Sequence, residues 1–272
     1  MAITTSDGLV AALASGQDIV LQKTSQTTVA GQWHSLWGAS GIPGAGALAV
    51  GNTTTGIVPT DATAGCPLIN AFGGGNTGYV VGFDCNGSTA GAVRLYDRLW
   101  HLGSILMTAT GATAVTPVAL PARLPASNAG GVGIEMWLEV NVALSATATT
   151  ISVSYTNSAG VAGRTATIDG NLSGLISGRM MPFRLQAGDL GVQSIQTVTL
   201  AGTAGTSGSF NIILARTLAE HNVMAVGVSE PRQDPFKTGM PQVYADSALA
   251  LMWLPTATNS GNVVADLDIA NG

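Results

Sequence analysis

Asp97, His101 and Ser104 lie within eight residues of one another, which is the material of a hydrolytic triad. That chemistry needs a nucleophile, a base and an orienting carboxylate in contact. No G-x-S-x-G elbow accompanies them. Two of the three histidines, His34 and His101, directly follow a tryptophan (Trp33 and Trp100), and this reads as packed imidazole rather than a general base. Glu135 and Glu139 are the best-spaced acid pair. On a strand rising ~3.3 Å per residue they stand roughly 13 Å apart, beyond the ~5–9.5 Å that glycoside-cleaving carboxylates need. They read instead as a solvated face. Trp137 between them is the candidate partner anchor, because tryptophan is favoured where interfaces concentrate their energy. Arg94 and Arg98 bracket Tyr96 and Asp97 and read as an ion-paired cluster of the bidentate kind found at protein contacts. With Trp253 these make the candidate interface set: Trp137, Glu135, Glu139, Trp253, Arg94 and Arg98. No catalytic, cofactor-binding or metal-ligating residue is assigned, and the chain is read as a non-enzyme.

The remaining motifs are weaker. Gly73-Gly-Gly-Asn-Thr-Gly78 matches G-x-G-x-x-G, but a β-rich segment, Tyr79–Phe83, follows it where a dinucleotide site needs a helix. Asp266 and Asp268 are two calcium-type ligands without the D-x-D-x-D-G loop. Cys66 and Cys85 fit no zinc pattern and read as buried thiols. No cofactor is expected.

The elements that must carry these residues are set by an unusual composition. Charged residues make up 9% of the chain, against about 25% in an ordinary soluble domain. Only two are lysines, Lys23 and Lys237. A freely diffusing protein uses such residues to keep apart from its neighbours, so a surface occupied by copies of itself or by a lattice is expected. The net charge of −5 and the scattered arginines leave no footprint for nucleic acid. No stretch approaches the ~20 apolar residues that cross a bilayer. The N-terminus lacks a signal-peptide pattern, so synthesis in a cytoplasm is expected.

Residues 6–15 read as a short helix capped by Ser6 or Asp7, with Leu9, Val10 and Leu13 as one stripe. Residues 28–37, 78–85 and 92–109 are β-rich, and 38–77 reads as long loops. In 132–142 apolar and polar residues alternate strictly, the mark of a half-buried strand. Further strands are expected in 151–155, 161–168 (after an Asn157–Gly160 turn), 180–186, 192–200 and 209–216. Helix is entertained for 216–225 and 245–253. The expected fold is all-β: an antiparallel β-sandwich, jelly-roll-like, with a short N-terminal helix and extended loops and arms. The expected division is a β-rich region 1–116, a Pro-rich crossing 117–130, a sandwich core 131–220 and a C-terminal arm 221–272.

The segments Tyr155-Thr-Asn-Ser-Ala-Gly-Val-Ala-Gly-Arg-Thr-Ala166, Leu185-Gln-Ala-Gly-Asp-Leu-Gly191, Val192–Leu200 and Phe210–Leu218 resemble the strand, glycine-turn, strand wording of tailed-bacteriophage virion structural proteins. The resemblance covers 131–220, about a third of the chain. It is similar in style to capsid decoration (cement) proteins. It implies a homo-oligomer, usually a trimer, that binds the major capsid protein on the outer capsid surface and stabilises the mature head, with arms reaching to the shell. A tail- or fibre-associated protein that binds a host receptor or glycan is the alternative, and a hydrolase on a β scaffold a third reading.

Overall fold

The computed structural model describes residues 3–48 and 53–272. A helix α1 (Ser6–Ala14) opens the chain. Strands follow: β1 (Gln17–Lys23), β2 (His34–Ser35), β3 (Gly41–Ile42), β4 (Gly78–Gly87), β5 (Gly91–Leu106), β6 (Gly111–Ala114), β7 (Glu135–Val142), β8 (Thr150–Asn157), β9 (Arg164–Ile168), β10 (Met180–Arg184), β11 (Val192–Ala201), β12 (Ser209–Ala225) and β13 (Val228–Ser229). A one-turn helix α2 (Pro235–Thr238) then precedes β14 (Gln242–Val243), β15 (Leu249–Pro255) and β16 (Val263–Asn271). The strands form antiparallel, sandwich-like sheets, as the sequence predicts.

The chain divides into two compact units that differ from the expected domains. The first comprises 1–46, 60–97 and 218–272, and the second 47–59 and 98–217. The strands β5 and β12 each run from one unit into the other, because both are long enough to serve two cores.

In the first unit β16 lies between β1 and β4, with β3 and β14 at the edges. The pattern of β16 is simple: Val263, Ala265, Leu267 and Ile269 are buried, and Val264, Asp266 and Asp268 face outward. Those apolar residues join Leu21, Phe83, Leu95, Leu251 and Trp253 in one core. The region 221–272 is therefore no arm, since it supplies two core strands. In the segment 245–253, entertained as helix, a turn at 245–246 leads into strand β15 from Leu249, buried on both faces. Continuous burial hides the period that separates strand from helix. The segment 216–225 is strand too: Ala219, His221 and Val223 point inward while Glu220, Asn222 and Met224 point out. Of 28–37 only His34–Ser35 is strand, and one bridge, from Thr27 to Asn259, lies just before it. The helix α1 is capped by Thr5, whose hydroxyl accepts from the Gly8 amide, and not by Ser6 or Asp7. Its expected stripe is mostly wet: Val10 and Leu13 are exposed, and Ala12 is the buried contact.

In the second unit the sheet order runs β12-β7-β10-β9-β8-β11-β6. The strand β10 pairs with β7 through Met180–Pro182 and with β9 through Phe183 and Arg184, which turns the sheet a corner. Inside it lie Met136, Leu138, Val140, Val153, Tyr155, Ile195, Val198, Phe210 and Ile212. The Pro-rich stretch 117–130 is not a crossing between domains. Val118, Leu120 and Leu124 pack on this core, and 126–131 forms a 3-10 turn. The segments 155–166 and 185–191 meet here in one clasp. The Asp189 carboxylate accepts from the Tyr155 hydroxyl at 2.5 Å, Asn157 Nδ2 at 2.7 Å and Arg164 Nε at 2.9 Å. Tyr155 in turn accepts from the Gln186 amide. The clasp draws the β8–β9 turn onto the loop before β11, and Ser158 N donates to Gly191 O.

The same end of the unit shows why glycine is required at Gly131. Its φ is +91°, and an added Cβ would lie 2.2 Å from the Val192 carbonyl oxygen. Gly131→Ala is expected to destabilise the chain by about 2 kcal/mol or more. Urea unfolding followed by far-UV circular dichroism checks this, with the open-space position Gly160→Ala, also at positive φ, costing about 1 kcal/mol.

Candidate functional site

The alternation in β7 is real, but its polar face is dry. Residues Met136–Val140 are all buried. Trp137 is 3% exposed and Glu139 is fully buried. The strand sits between β12 and β10, and register places Glu139 opposite Asn211 and Met180. An ionised acid there needs a partner, since an unpaired buried charge is strongly unfavourable. Arg98 of β5 supplies it. Its Nη1 donates to Glu139 Oε1 at 3.1 Å and its Nη2 to Oε2 at 2.5 Å, with both side chains at 0% exposure. Planar guanidinium and carboxylate match in this bidentate form.

The network extends from that pair. His101 Nδ1 stands 2.9 Å from Arg98 Nη2, and its Nε2 stands 3.0 Å from the Leu48 carbonyl oxygen. The imidazole is therefore neutral, accepting at Nδ1 and donating at Nε2. Burial, then the Arg98 charge, holds its pKa down at about 3. Asn211 Nδ2 donates to Glu139 Oε2 at 3.2 Å and to Leu48 O. Arg123 Nη2 donates to Pro59 O at 2.7 Å and to Arg98 O at 3.1 Å. Beyond Asn211 lies Ser104, whose amide donates to Asn211 Oδ1 at 2.9 Å. Its hydroxyl oxygen accepts from Asn141 Nδ2 at 3.2 Å. Ser104 has φ +61°, a left-handed backbone near the end of strand β5.

The candidate interface residues are thus mostly interior. Glu139 and Arg98 form the buried pair, and Trp137 lies beside them, donating from Nε1 to Glu135 Oε2 at 2.8 Å. Glu135 is half-buried and also accepts from Thr217. Trp253 is a fully buried core residue of the first unit. Of the six, Arg94 keeps the clearest surface role. It bonds Glu220 at 2.5 Å, and its guanidinium lies 4.8 Å from the centre of the Trp33 ring. Trp137 and Trp253 are therefore packing groups, and Glu135 and Glu139 are not a solvated face. The signal that misled was local: strict alternation says which residues share a face, not whether distant loops cover it. Arg123, Asn141, Asn211 and the Leu48 carbonyl were not read from the sequence, since nothing in their spacing points to β7.

The other candidates resolve similarly. Asp97 accepts from Ala248 N and Ser247 Oγ at 3.0 Å each. With both His101 nitrogens engaged, no base remains for Ser104. His34 Nε2 accepts from Val29 N, and His221 is buried edge-on to Phe83, 3.3 Å from Asp84. Lys23 is buried with its Nζ donating to the carbonyls of Ala39, Pro43 and Gly44, and burial lowers its pKa to about 8. Asp266 and Asp268 pair with Arg232 at 3.1 and 2.5 Å. Among the described residues no group of three metal-ligating side chains converges. Cys66 and Cys85 are buried thiols, and burial pushes the Cys85 thiol well up. After Gly73–Gly75 comes strand β4, as the β-rich reading of that segment expects.

Two predictions follow from the network. Glu139→Ala leaves Arg98 buried without its carboxylate and is expected to lose about 3–5 kcal/mol, while Arg98→Met/Glu139→Leu recovers most of that. Urea midpoints of the three proteins at pH 7 check it. The second concerns acid. His101 is held neutral at about 3 against an ordinary 6.5, so the unfolded chain binds its proton first. Its stabilising effect is full above pH 6.5 and is lost as pH falls from 6.5 toward 3. Asp189, held at about 2 against 3.8 first by the Arg164 hydrogen bond, adds a second loss from 3.8 toward 2. Melting temperature should therefore fall in two stages on acidification, and His101→Gln should flatten the upper one.

No family model matches the chain, and no curated protein matches it closely. Among solved structures, one of the infectious bursal disease virus Gx strain matches at 10% identity and a TM-score of 0.21, over 70% of this chain and 41% of that one. The infectious bursal disease virus VP2 subviral particle matches at 10% identity and a TM-score of 0.19, over 94% of this chain and 81% of that one.

Proposed function

We propose that the chain is a non-enzymatic structural protein of a virion, a decoration (cement) protein that assembles as a homo-oligomer, a trimer, on the major capsid protein of a tailed-phage head. One observation carries the reading: among the described residues every lysine and arginine is buried, half-buried or ion-paired. All ten cationic side chains are described. Lys23, Arg98, Arg123 and Arg216 are buried. Arg94, Arg164, Arg184, Arg232 and Lys237 are ion-paired, and Arg179 is half-buried. Nucleic acid and anionic membranes are bound through such charges, so neither is a fitting partner. What the surface presents instead is apolar: Leu68, Leu190, Val226 and Phe236 are each at least 70% exposed. Phe236 stands on α2, which is bounded by the Asp234 cap with Pro235 and by the left-handed Gly239. An exposed aromatic is the type of group on which interfaces concentrate their energy. A clamp that binds only the assembled shell stabilises it by mass action, and contacts of this kind are little screened by salt.

Cryo-electron microscopy of particles that contain the chain tests the proposal. Regular density on the outer shell is expected, retained in 1 M salt and reduced several-fold in occupancy by Phe236→Asp. Density confined to a tail or vertex would transfer the chain to the tail- or fibre-associated, receptor-binding reading. Absence from particles would overturn both.

A further inference from the structure

The strained Ser104 opens onto a cavity of about 300 Å3 in the second unit, lined by Thr53, Thr110, Gly111, Thr113, Leu106 and Leu200 among others. We infer that this cavity is a binding site for a small, neutral, hydroxyl-rich ligand, a single sugar ring, with Ser104 as its fixed hydrogen-bond donor. Three observations converge on it. A serine in the left-handed region is unfavourable by roughly 1–2 kcal/mol, and glycine would adopt the same backbone freely. Serine nevertheless occupies the position, and two asparagines hold it there, Asn211 at its amide and Asn141 at its hydroxyl oxygen. Backbone strain that the surroundings enforce is characteristic of sites with a function.

The second observation is the direction of the hydroxyl. Its oxygen is already an acceptor for Asn141, which also donates to Ser209 at 3.1 Å. Among the described residues the proton of Ser104 Oγ is thereby left as a donor without a protein acceptor. The third is the lining. Thr53, Thr110 and Thr113 add hydroxyls, each able to donate and to accept. No charged residue lines the cavity. A charged ligand would lose hydration there with nothing to offset the loss. A neutral polyol exchanges its water hydrogen bonds for those of the hydroxyls, and Ile105, Leu106 and Leu200 accommodate the C–H face of a ring. The volume lies at the low end of ligand sites, about 300–1,000 Å3, so one ring fits and a long chain does not.

Saturation-transfer NMR on the full chain with D-glucose, D-galactose, D-mannose and N-acetylglucosamine, and with glucuronate as the charged comparison, tests the inference. At least one neutral sugar should bind saturably, with glucuronate weaker. Ser104→Ala and Thr113→Val should each weaken that binding several-fold, as should Thr110→Val, whose loop position is exposed and tolerant if a strand variant fails to fold. Ser104→Gly should raise the melting temperature and weaken binding together, which a purely structural serine would not do. Absence of saturable binding by any neutral sugar, equal binding of glucuronate, or wild-type binding by the hydroxyl variants would overturn it. Each readout is independent of where in a particle the chain resides.

Discussion

The buried Arg98–Glu139 pair is the constraint around which the second unit is arranged. An acid in the middle of a central strand cannot be left in a dry layer alone, and a pair cannot be left with unfilled lone pairs. Asn211 Nδ2 takes up one remaining position on the carboxylate, and His101 Nδ1 accepts a hydrogen bond from the guanidinium. The Leu48 carbonyl accepts from His101 Nε2 and from the same Asn211 Nδ2. Arg123 ties Pro59 to the backbone of Arg98. Leu48, Pro59 and the Pro-rich stretch near Arg123 thus lie over one face of the sheet. Well-packed apolar residues would hold such a layer at least as firmly. What the ionic arrangement adds is direction: a bidentate pair accepts one relative placement of β5 and β7, whereas leucines accept several.

Much of the β architecture was legible because it rests on local period. The strand β7 and the hairpin of β8 and β9 follow directly from alternation and from the Asn157–Gly160 turn, where Gly160 N donates to Asn157 O. Legibility ended where a residue's environment is set from far away. Glu139 lies 41 residues from Arg98, and no window on β7 contains its partner. The strand β15 shows no period because both its faces are covered. In the second half of β12 the inward residue His221 is polar, so the alternation of Ala219, His221 and Val223 with Glu220 and Asn222 did not stand out. The strand β16 has a perfect period, but Asp266 and Asp268 gave its segment the look of a polar tail. Tyr155, Asn157, Arg164 and Asp189, which lie in two separate turn segments, are one hydrogen-bonded unit.

Few charges, with the cations buried or mostly ion-paired, also bear on recognition. Long-range steering depends on unpaired charge, and this chain has withdrawn its cations into cores and pairs. Selection of partners then falls to shape and to short-range hydrogen bonds. An exposed phenylalanine and a neutral, hydroxyl-lined recess are two forms of the same short-range strategy, one offering an apolar surface and the other directed donors and acceptors.

The position of β16 has a consequence for how the chain reaches this structure. It is the last strand in sequence and yet lies between β1, among the first elements, and β4. Until residues 263–271 arrive, β1 and β4 each present an open edge, and Leu21 and Phe83 lack the strand that covers them. Contacts between residues so far apart in sequence form slowly. The first unit therefore closes only once residues 263–271 have been made, whereas the second, drawn largely from 98–217, has its described strands beforehand. During that interval the half-built sheet offers its edges to any neighbouring chain, so newly made copies in close proximity are exposed to strand exchange.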